Sequence, residues 1–388
     1  VTCDTAEVPS PAARHAAPAG VFRDPVAERP LIDFAEHRQE AMADLVCTLG
    51  QAVRTASGGR KLVVFFYGYG FEFGALGTDP SVSGHYALRR VLSSPDIDVL
   101  CAPISYWDRS PGQSAPAMSA AESVALAGKL WLNEDDTSTY LAPKRDDHPV
   151  WKSGSDTLAG TNALLVRNVA QEALRNFGTW WMDLSCSGQF DDSGMWREMA
   201  RLKVMDDELL QRPTPFRPQV AAVVDERSML RMAAGSAVVG RPGLYEARAP
   251  LGHLGAPYGQ YLGDDVVAGR VSAKLYVFLT PFCLSAAERT ALLKATAGST
   301  RLWCYAPGYH EDYRVSPEAM QELTGFTLKP VSPDKAWATP TEAGTKLGLQ
   351  QAFGVNGPVR PLFAAVDANP EEVLATYPDG SPAIALGR

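Results

Sequence analysis

Residues 128–141 read GKLWLNEDDTSTYL. A short apolar run, Leu130-Trp131-Leu132, stops on Asn133-Glu134-Asp135-Asp136. Three consecutive acids are costly to desolvate, so they must face water, a metal or a polar pocket. An apolar run this short, bounded by polar residues, is the pattern of a parallel strand covered on both faces. Three similar runs accompany it, at 61–67 (KLVVFFY), 97–104 (IDVLCAPI) and 179–184 (TWWMDL). Helical patterns lie between them at 85–92, 117–127 and 163–177. Ahead of the first strand, the spacing of Phe34, Met42, Leu45, Val46, Leu49 and Val53 predicts a helix over 34–55, stopped by Gly58-Gly59. The alternation predicts an α/β fold.

Polar residues cluster where each strand ends. Tyr67, Tyr69 and Glu72 follow the first; Ser105, Tyr106, Trp107, Asp108 and Arg109 the second; Asn133 to Asp136 the third; Asp183 and Ser185 the fourth. In a β/α barrel the C-terminal strand ends are the face on which an active site is built. Aromatic rings beside acids suit a sugar, whose C–H faces stack on rings while its hydroxyls bond to carboxylates. Plainer readings stand beside this one. Glu134-Asp135-Asp136 also fits a solvated turn or a Mg²⁺ site, and Asp183 fits a cap on the following turn. GYGFEFG (68–74) has glycines in the wrong register for a dinucleotide loop, and LSCSG (184–188) has Leu where a nucleophile elbow needs Gly. His85 and His148 have no partner at metal-ligand spacing and read as surface or core histidines.

The 388 residues are 46% apolar and 21% charged, enough for a large core and for more than one domain. A net charge of −8, with no Lys/Arg stripe, argues against a nucleic-acid partner, and no apolar run is long enough to span a membrane. Six cysteines lie far apart with no C-x-x-C pair, which argues against a zinc ribbon or disulfide scaffold; Cys101, Cys186, Cys283 and Cys304 are expected in the core. Residues 1–33 are rich in Ala and Pro and are expected to form a surface loop. The chain starts at Val1 without Met, so upstream residues are expected.

After the Pro-rich linker Arg212-Pro213-Thr214-Pro215 a second α/β unit is predicted over 218–331. Its strands are QVAAVVD (219–225), KLYVFL (274–279) and TRLWCY (300–305), with helices at 285–297 and 316–324. The pattern suits a flavodoxin-like open sheet. Neither Cys283 nor Cys304 has the Gly-flanked setting of a nucleophile, so this unit is read as structural.

The order of these segments resembles the glycoside hydrolase family 42 β-galactosidases, in which a β/α barrel precedes an amidotransferase-like trimerisation domain. DIDVLCAPISYWDR (96–109) resembles the sixth barrel strand, GKLWLNEDD (128–136) the seventh and WWMDL (180–184) the eighth. VAAVVDERS (220–228) and KLYVFL resemble the trimerisation domain, and residues 363–385 a small β-rich C-terminal piece. The resemblance implies the second half of a (β/α)8 TIM barrel over 34–212, the trimerisation-like domain over 218–331, and a linker with a small β-rich segment over 332–388. It implies a retaining β-glycosidase with Glu134 as nucleophile and Tyr69, Glu72, Tyr106, Trp107, Asp108, Arg109, Asn133 and Asp183 around a carbohydrate substrate. Strand alternation turns Asp135 away from Glu134, and Asp136, beyond the strand, is placed to hold an Arg or backbone donors. It also implies a homotrimer, and no cofactor or metal is indicated. The acid/base of such an enzyme lies at the fourth strand, and strands one to four find no counterpart here. The chain is then a fragment or processed piece, the partner of a second chain carrying those strands, or a protein that keeps the fold for non-catalytic carbohydrate binding or assembly.

Overall fold

A computed structural model describes residues 7–16, 20–76, 78–143 and 153–387; Cys3 and His148 lie outside the described residues. The four apolar runs form parallel strands β1 (Val64–Phe66), β2 (Val99–Pro103), β3 (Leu130–Asp135) and β4 (Gly178–Trp181), paired in chain order. The associated helices are α1 (Arg29–Ser57), α2 (Leu88–Leu92), α3 (Ala121–Leu126), α4 (Leu158–Ala173) and α5 (Ser193–Gln211). Local chemistry sets their ends. α1 closes on Gly58 in the left-handed region, at φ 60°. Thr157 caps α4, and Asp192 caps α5 by accepting from the backbone N–H groups of Gly194 and Met195. β3 runs on to Asp135, past the expected end at Leu132, because its acids keep their backbone pairing with Pro103 of β2 and with Trp180 and Trp181 of β4.

Strand register sorts the side chains into two faces. Val64, Val99 and Leu130 form one row; Phe66, Cys101, Leu132 and Gly178 form the next; Pro103, Glu134 and Trp180 lie at the C-terminal end of the same face. The opposite face carries Val63, Tyr67, Leu100, Ala102 and Trp131, all buried in the main core. The first face is left partly open. Val64 is 45% exposed, Phe66 49%, Leu130 41%, and Leu62, just before β1, 74%. Among the described residues β1 and β4 each have one unpaired edge.

A second parallel sheet has the order β6-β5-β7-β8, built from β5 (Val220–Val224), β6 (Tyr258–Leu262), β7 (Leu275–Phe278) and β8 (Thr300–Trp303). β6, YGQYL, escapes the sequence reading because Gly259 and Gln260 break its apolar run. It docks on α3: the backbone N–H of Gln260 donates to Glu122 (2.7 Å) and that of Leu262 to Ser123 Oγ (2.8 Å). Glu226, just after β5, accepts from the N–H groups of Leu88 and Arg89 at the start of α2. Beyond residue 327 the strands are antiparallel: Leu328–Val331 pairs with Leu362–Ala365, and four more form a sheet that ends on Pro382–Ala385.

Three expectations are corrected. The N-terminal segment is more than a surface loop: it contains a short helix, Pro11–His15, and Phe22 is buried edge-to-face on Phe282 (5.2 Å) and stacked on Tyr305 (5.6 Å). Cys186 is exposed at φ 50°, in the loop after β4, whereas Cys101 and Cys283 are buried. Cys304 is only half-buried. His85, expected as a surface or core histidine, is packed against the core, in keeping with that reading. Its ring stacks on Tyr67 at 5.1 Å, Nδ1 accepts from the N–H groups of Gly68 and Tyr69, and burial lowers its pKa to about 4.

Where β6 meets α3 and α4, Glu122 and Glu172 are buried together beside Arg175, whose Nε donates to Glu122 at 3.0 Å. Burial pushes Glu172 up to about 8; Arg175 opposes the shift, and the charges of Glu122 and Asp135 add to it. The folded state therefore holds a proton that the unfolded chain releases near 4.5. The resulting stability is complete below that value and is lost as pH rises through about 8. Urea midpoints measured from pH 5 to 8 are expected to fall for the wild type and to fall less for Glu172→Gln.

Candidate active site

β3 delivers Glu134 to the C-terminal end of the open face, between Pro103 and Trp180 of the neighbouring strands. Its backbone carbonyl accepts from the N–H of Ile104 (3.0 Å), which fixes the strand end. The side chain is 6% exposed. Burial, joined by the negative charge of Asp136, pushes its pKa up to about 7, and Arg109 partly offsets this. Glu134 is thus a carboxyl poised to exchange a proton near neutral pH.

Asp136 and Arg109 form a buried ion pair, Nη1 to Oδ1 at 2.5 Å, with neither side chain exposed. The guanidinium also donates to the carbonyl of Ile104 and to Ser153 Oγ, and it lies over the Tyr106 ring at 4.8 Å. Arg167, from α4, donates to the backbone carbonyls of Arg109, Ser110 and Gln113, so a helix holds the loop that carries the arginine. The phenols of Tyr69 and Tyr106 are raised by burial, with contributions from the charges of Glu134 and Asp136. Tyr69, Tyr106, Arg109, Glu134 and Asp136 therefore form one electrostatically coupled group.

Glu72 sits beside this group. Its carboxylate accepts from Ser105 Oγ (2.9 Å), the N–H of Tyr106 (3.2 Å) and Nη2 of Arg248 (3.0 Å). Arg248 is fully buried and also donates to the carbonyls of Ala117 and Tyr245. Trp107 packs its ring on Tyr245 at 5.8 Å. Arg248 and Tyr245 follow β5 in the chain and were missed from sequence, because nothing near Glu72 signals a partner 176 residues away.

The other expected site residues have local tasks. Asp108, at φ 60°, accepts from the backbone N–H of Ser114 and from its hydroxyl, pinning the loop after β2. Asn133 is fully buried on the covered face, where its Oδ1 accepts from Trp131 Nε1 (2.9 Å). Asp183 accepts from the hydroxyl of Ser185 and the N–H groups of Ser187, Gly188 and Gln189, and its pKa is held below the usual range. Burial opposes that lowering, and the donors outweigh it. This is the capping role. Asp135 accepts from Asn168 Nδ2 (2.9 Å) on the helix-covered face, away from Glu134. Among the described residues no three His, Cys, Asp or Glu side chains are arranged to hold a metal, and no helix is long and apolar enough to cross a membrane.

The fold is similar to that of β-galactosidases of known structure. The enzyme from the psychrophilic Marinomonas ef1 matches with a TM-score of 0.56 and 12% identity, over 92% of this chain and 56% of that one. The polyextremophilic enzyme from the Antarctic haloarchaeon Halorubrum lacusprofundi matches with a TM-score of 0.56 and 12% identity, over 95% of this chain and 55% of its own. This chain thus has a β-galactosidase-like fold and spans a little over half the length of these relatives. No family profile and no curated protein matches the chain.

Removing one member of a buried ion pair leaves the other charge uncompensated, at a cost of about 3–5 kcal/mol. Asp136→Ala is expected to lose stability on that scale in urea unfolding, because it strands Arg109. Asp207→Ala, which removes an exposed i,i+4 partner of Lys203, should change it by less than about 1 kcal/mol.

Proposed function

We propose that this chain carries the nucleophile side of a retaining glycosidase site for a β-linked sugar, with a β-galactoside as the first substrate to test. The supporting observation is the position of Glu134: a desolvated carboxyl at the C-terminal end of a parallel strand, on the open face, beside Tyr69, Tyr106 and the Arg109–Asp136 pair. An oxygen of ionised Glu134 bonds to the anomeric carbon as the bond from that carbon to the leaving oxygen breaks. A second carboxyl, about 5–5.5 Å away, protonates the leaving oxygen and then takes a proton from the water that releases the sugar.

The acids described around Glu134 are committed elsewhere: Asp136 to Arg109, Asp135 to Asn168, Glu72 to Arg248 and Ser105, and Asp183 to its own loop. On this reading the acid/base is supplied by the strands that complete a barrel around β1–β4. The Arg109–Asp136 pair and the aromatic rings position Glu134 and the sugar. No step calls for a cofactor.

The test uses the assembled protein and an activated aryl β-galactoside. Glu134→Gln and Glu134→Gly should each lower turnover by orders of magnitude, because the covalent path is lost. Azide should restore turnover to the Gly variant and yield an α-configured glycosyl azide, and Asp135→Asn should have a smaller effect. Near wild-type hydrolysis by Glu134→Gln would remove Glu134 from the role. Assembled wild-type protein that binds galactose without cleaving any glycoside would leave a carbohydrate-binding protein.

A further inference from the structure

We propose that Glu122, Glu172 and Arg175 form a proton-operated latch, which holds the second parallel sheet against the layer carrying β3 while Glu172 is neutral and loosens when Glu172 ionises. The three side chains line a cavity of about 10 Å³, room for one water, and Tyr258 and Gln260 of β6 close its far side. β6 is the edge strand of its sheet, and side chains from this cluster take its backbone groups where another strand would. Glu122 Oε2 accepts from the N–H of Gln260 (2.7 Å), and Arg175 Nη2 donates to the carbonyl of Tyr258 (3.1 Å). Gln260 answers with its own amide, Nε2 donating to the carbonyls of Ala117 (3.1 Å) and Ser119 (2.7 Å). The cluster lies on the covered side of β1–β4, so nothing in it turns on what meets the open face.

The geometry leaves Glu172 as the acid without a base. Glu122 and Arg175 balance one to one through Nε and Oε1 at 3.0 Å. Glu172 is a second acid in the same buried space, and its Oε2 has no hydrogen-bond partner among the described residues. Burying that oxygen as part of a carboxylate costs far more than burying a neutral carboxyl, whose proton can be offered to the cavity. Three charged groups act on it: Glu122 on α3, Asp135 on β3 and Arg175 just beyond α4. The phenol of Tyr258, facing the cavity from β6, is pushed up by its own burial and stays uncharged. The Asn133 amide favours the ionised form, yet its Nδ2 closes no hydrogen bond. Burial outweighs these opposing influences, in keeping with the proton that Glu172 keeps up to about 8.

When the seam opens, Glu172 meets water and ionises near 4.5, whereas in the closed seam it holds its proton to about 8. Between those values each rise in pH therefore favours the open seam over the closed one. An ionised Glu172 also draws on Arg175, in competition with Glu122 and the Tyr258 carbonyl. The effect reaches further along the chain. The connection from β5 to β6 carries Tyr245 and Arg248, which meet Trp107 and Glu72 beside Glu134. Releasing Tyr258 and Gln260 frees one end of a segment whose other end braces that rim. The latch needs no reaction at Glu134 and stands or falls apart from the glycosidase reading.

Amide hydrogen exchange on the full chain tests the latch, with no substrate present. Protection of the segment 256–262 is compared, at pH 6 and pH 8 and after correction for intrinsic exchange rates, with that of β5, an interior strand of the same sheet. In the wild type the ratio is expected to fall by about tenfold or more between the two pH values, and the segment 243–250 should loosen with it. Glu172→Gln keeps a neutral side chain of the same shape, so its ratio should stay at the pH 6 value. A wild type whose ratio does not fall, or a variant whose ratio falls equally, would overturn the inference. So would a loss of protection shared equally by β5, which marks global unfolding. A Glu172→Gln protein that cannot fold would overturn it too, because a site built for a neutral carboxyl accommodates a neutral amide.

Discussion

The two-residue period of β1–β4 sends alternate side chains to opposite fates, and the rest of the structure follows from that division. On one face Trp131, Leu100 and Val63 are sealed into the core. On the other, Leu130, Phe66 and Val64 keep nearly half of their surface. The same alternation separates three neighbouring residues of β3. Asn133 and Asp135 turn to the covered side, where Asn133 Oδ1 accepts from Trp131 and Asp135 accepts from Asn168, and Glu134 turns to the open side. A one-residue slip in register would bury Glu134 among helices and leave Trp131 in water, so packing itself fixes which acid can reach a ligand.

Within that frame burial sets how Glu134 behaves, and the charges of the Arg109–Asp136 pair adjust it. A lone acid beside Glu134 would raise its pKa by like-charge repulsion alone, and an adjacent arginine would hold it ionised. The pair sets these effects against each other, and desolvation is left as the largest contribution. The pair's geometry is constrained from several sides: Ile104 and Ser153 take further guanidinium protons, Tyr106 covers its face, and Arg167 anchors the loop.

Sequence revealed what depends on local pattern. The four apolar runs, the turn of Asp135 away from Glu134 and the task of Asp136 in holding an arginine all follow from strand period and residue chemistry, and the structure shows each of them. Interactions between distant segments left no trace. Arg248 reaches Glu72 across 176 positions, β6 hides behind Gly259 and Gln260, and Phe22 packs on Phe282 from a stretch whose Ala and Pro content suggests only a loop. Asp183 shows the limit from the other direction. A carboxylate after a strand end suits both a ligand and a turn, and only the donors around it reveal that the turn has taken it.

Stability and chemistry place the same demand on the open face. Glu134 is itself largely buried, but the face around it still meets water at Phe66 and Val64, so part of the field from Arg109 and Asp136 is screened by solvent. Bringing a second wall against β1–β4 would bury Phe66 and Val64, pair the free strand edges and expel that water, and each nearby charge would then act on Glu134 more strongly. A sugar held between two walls would lose its hydration to fixed dipoles and rings. The apolar residues that leave this sheet unfinished are therefore the ones whose burial would turn the Glu134 rim into a closed pocket. If the proposed glycosidase reading holds, an assembly that fails to cover them is expected to fail at hydrolysis even with every residue around Glu134 in place.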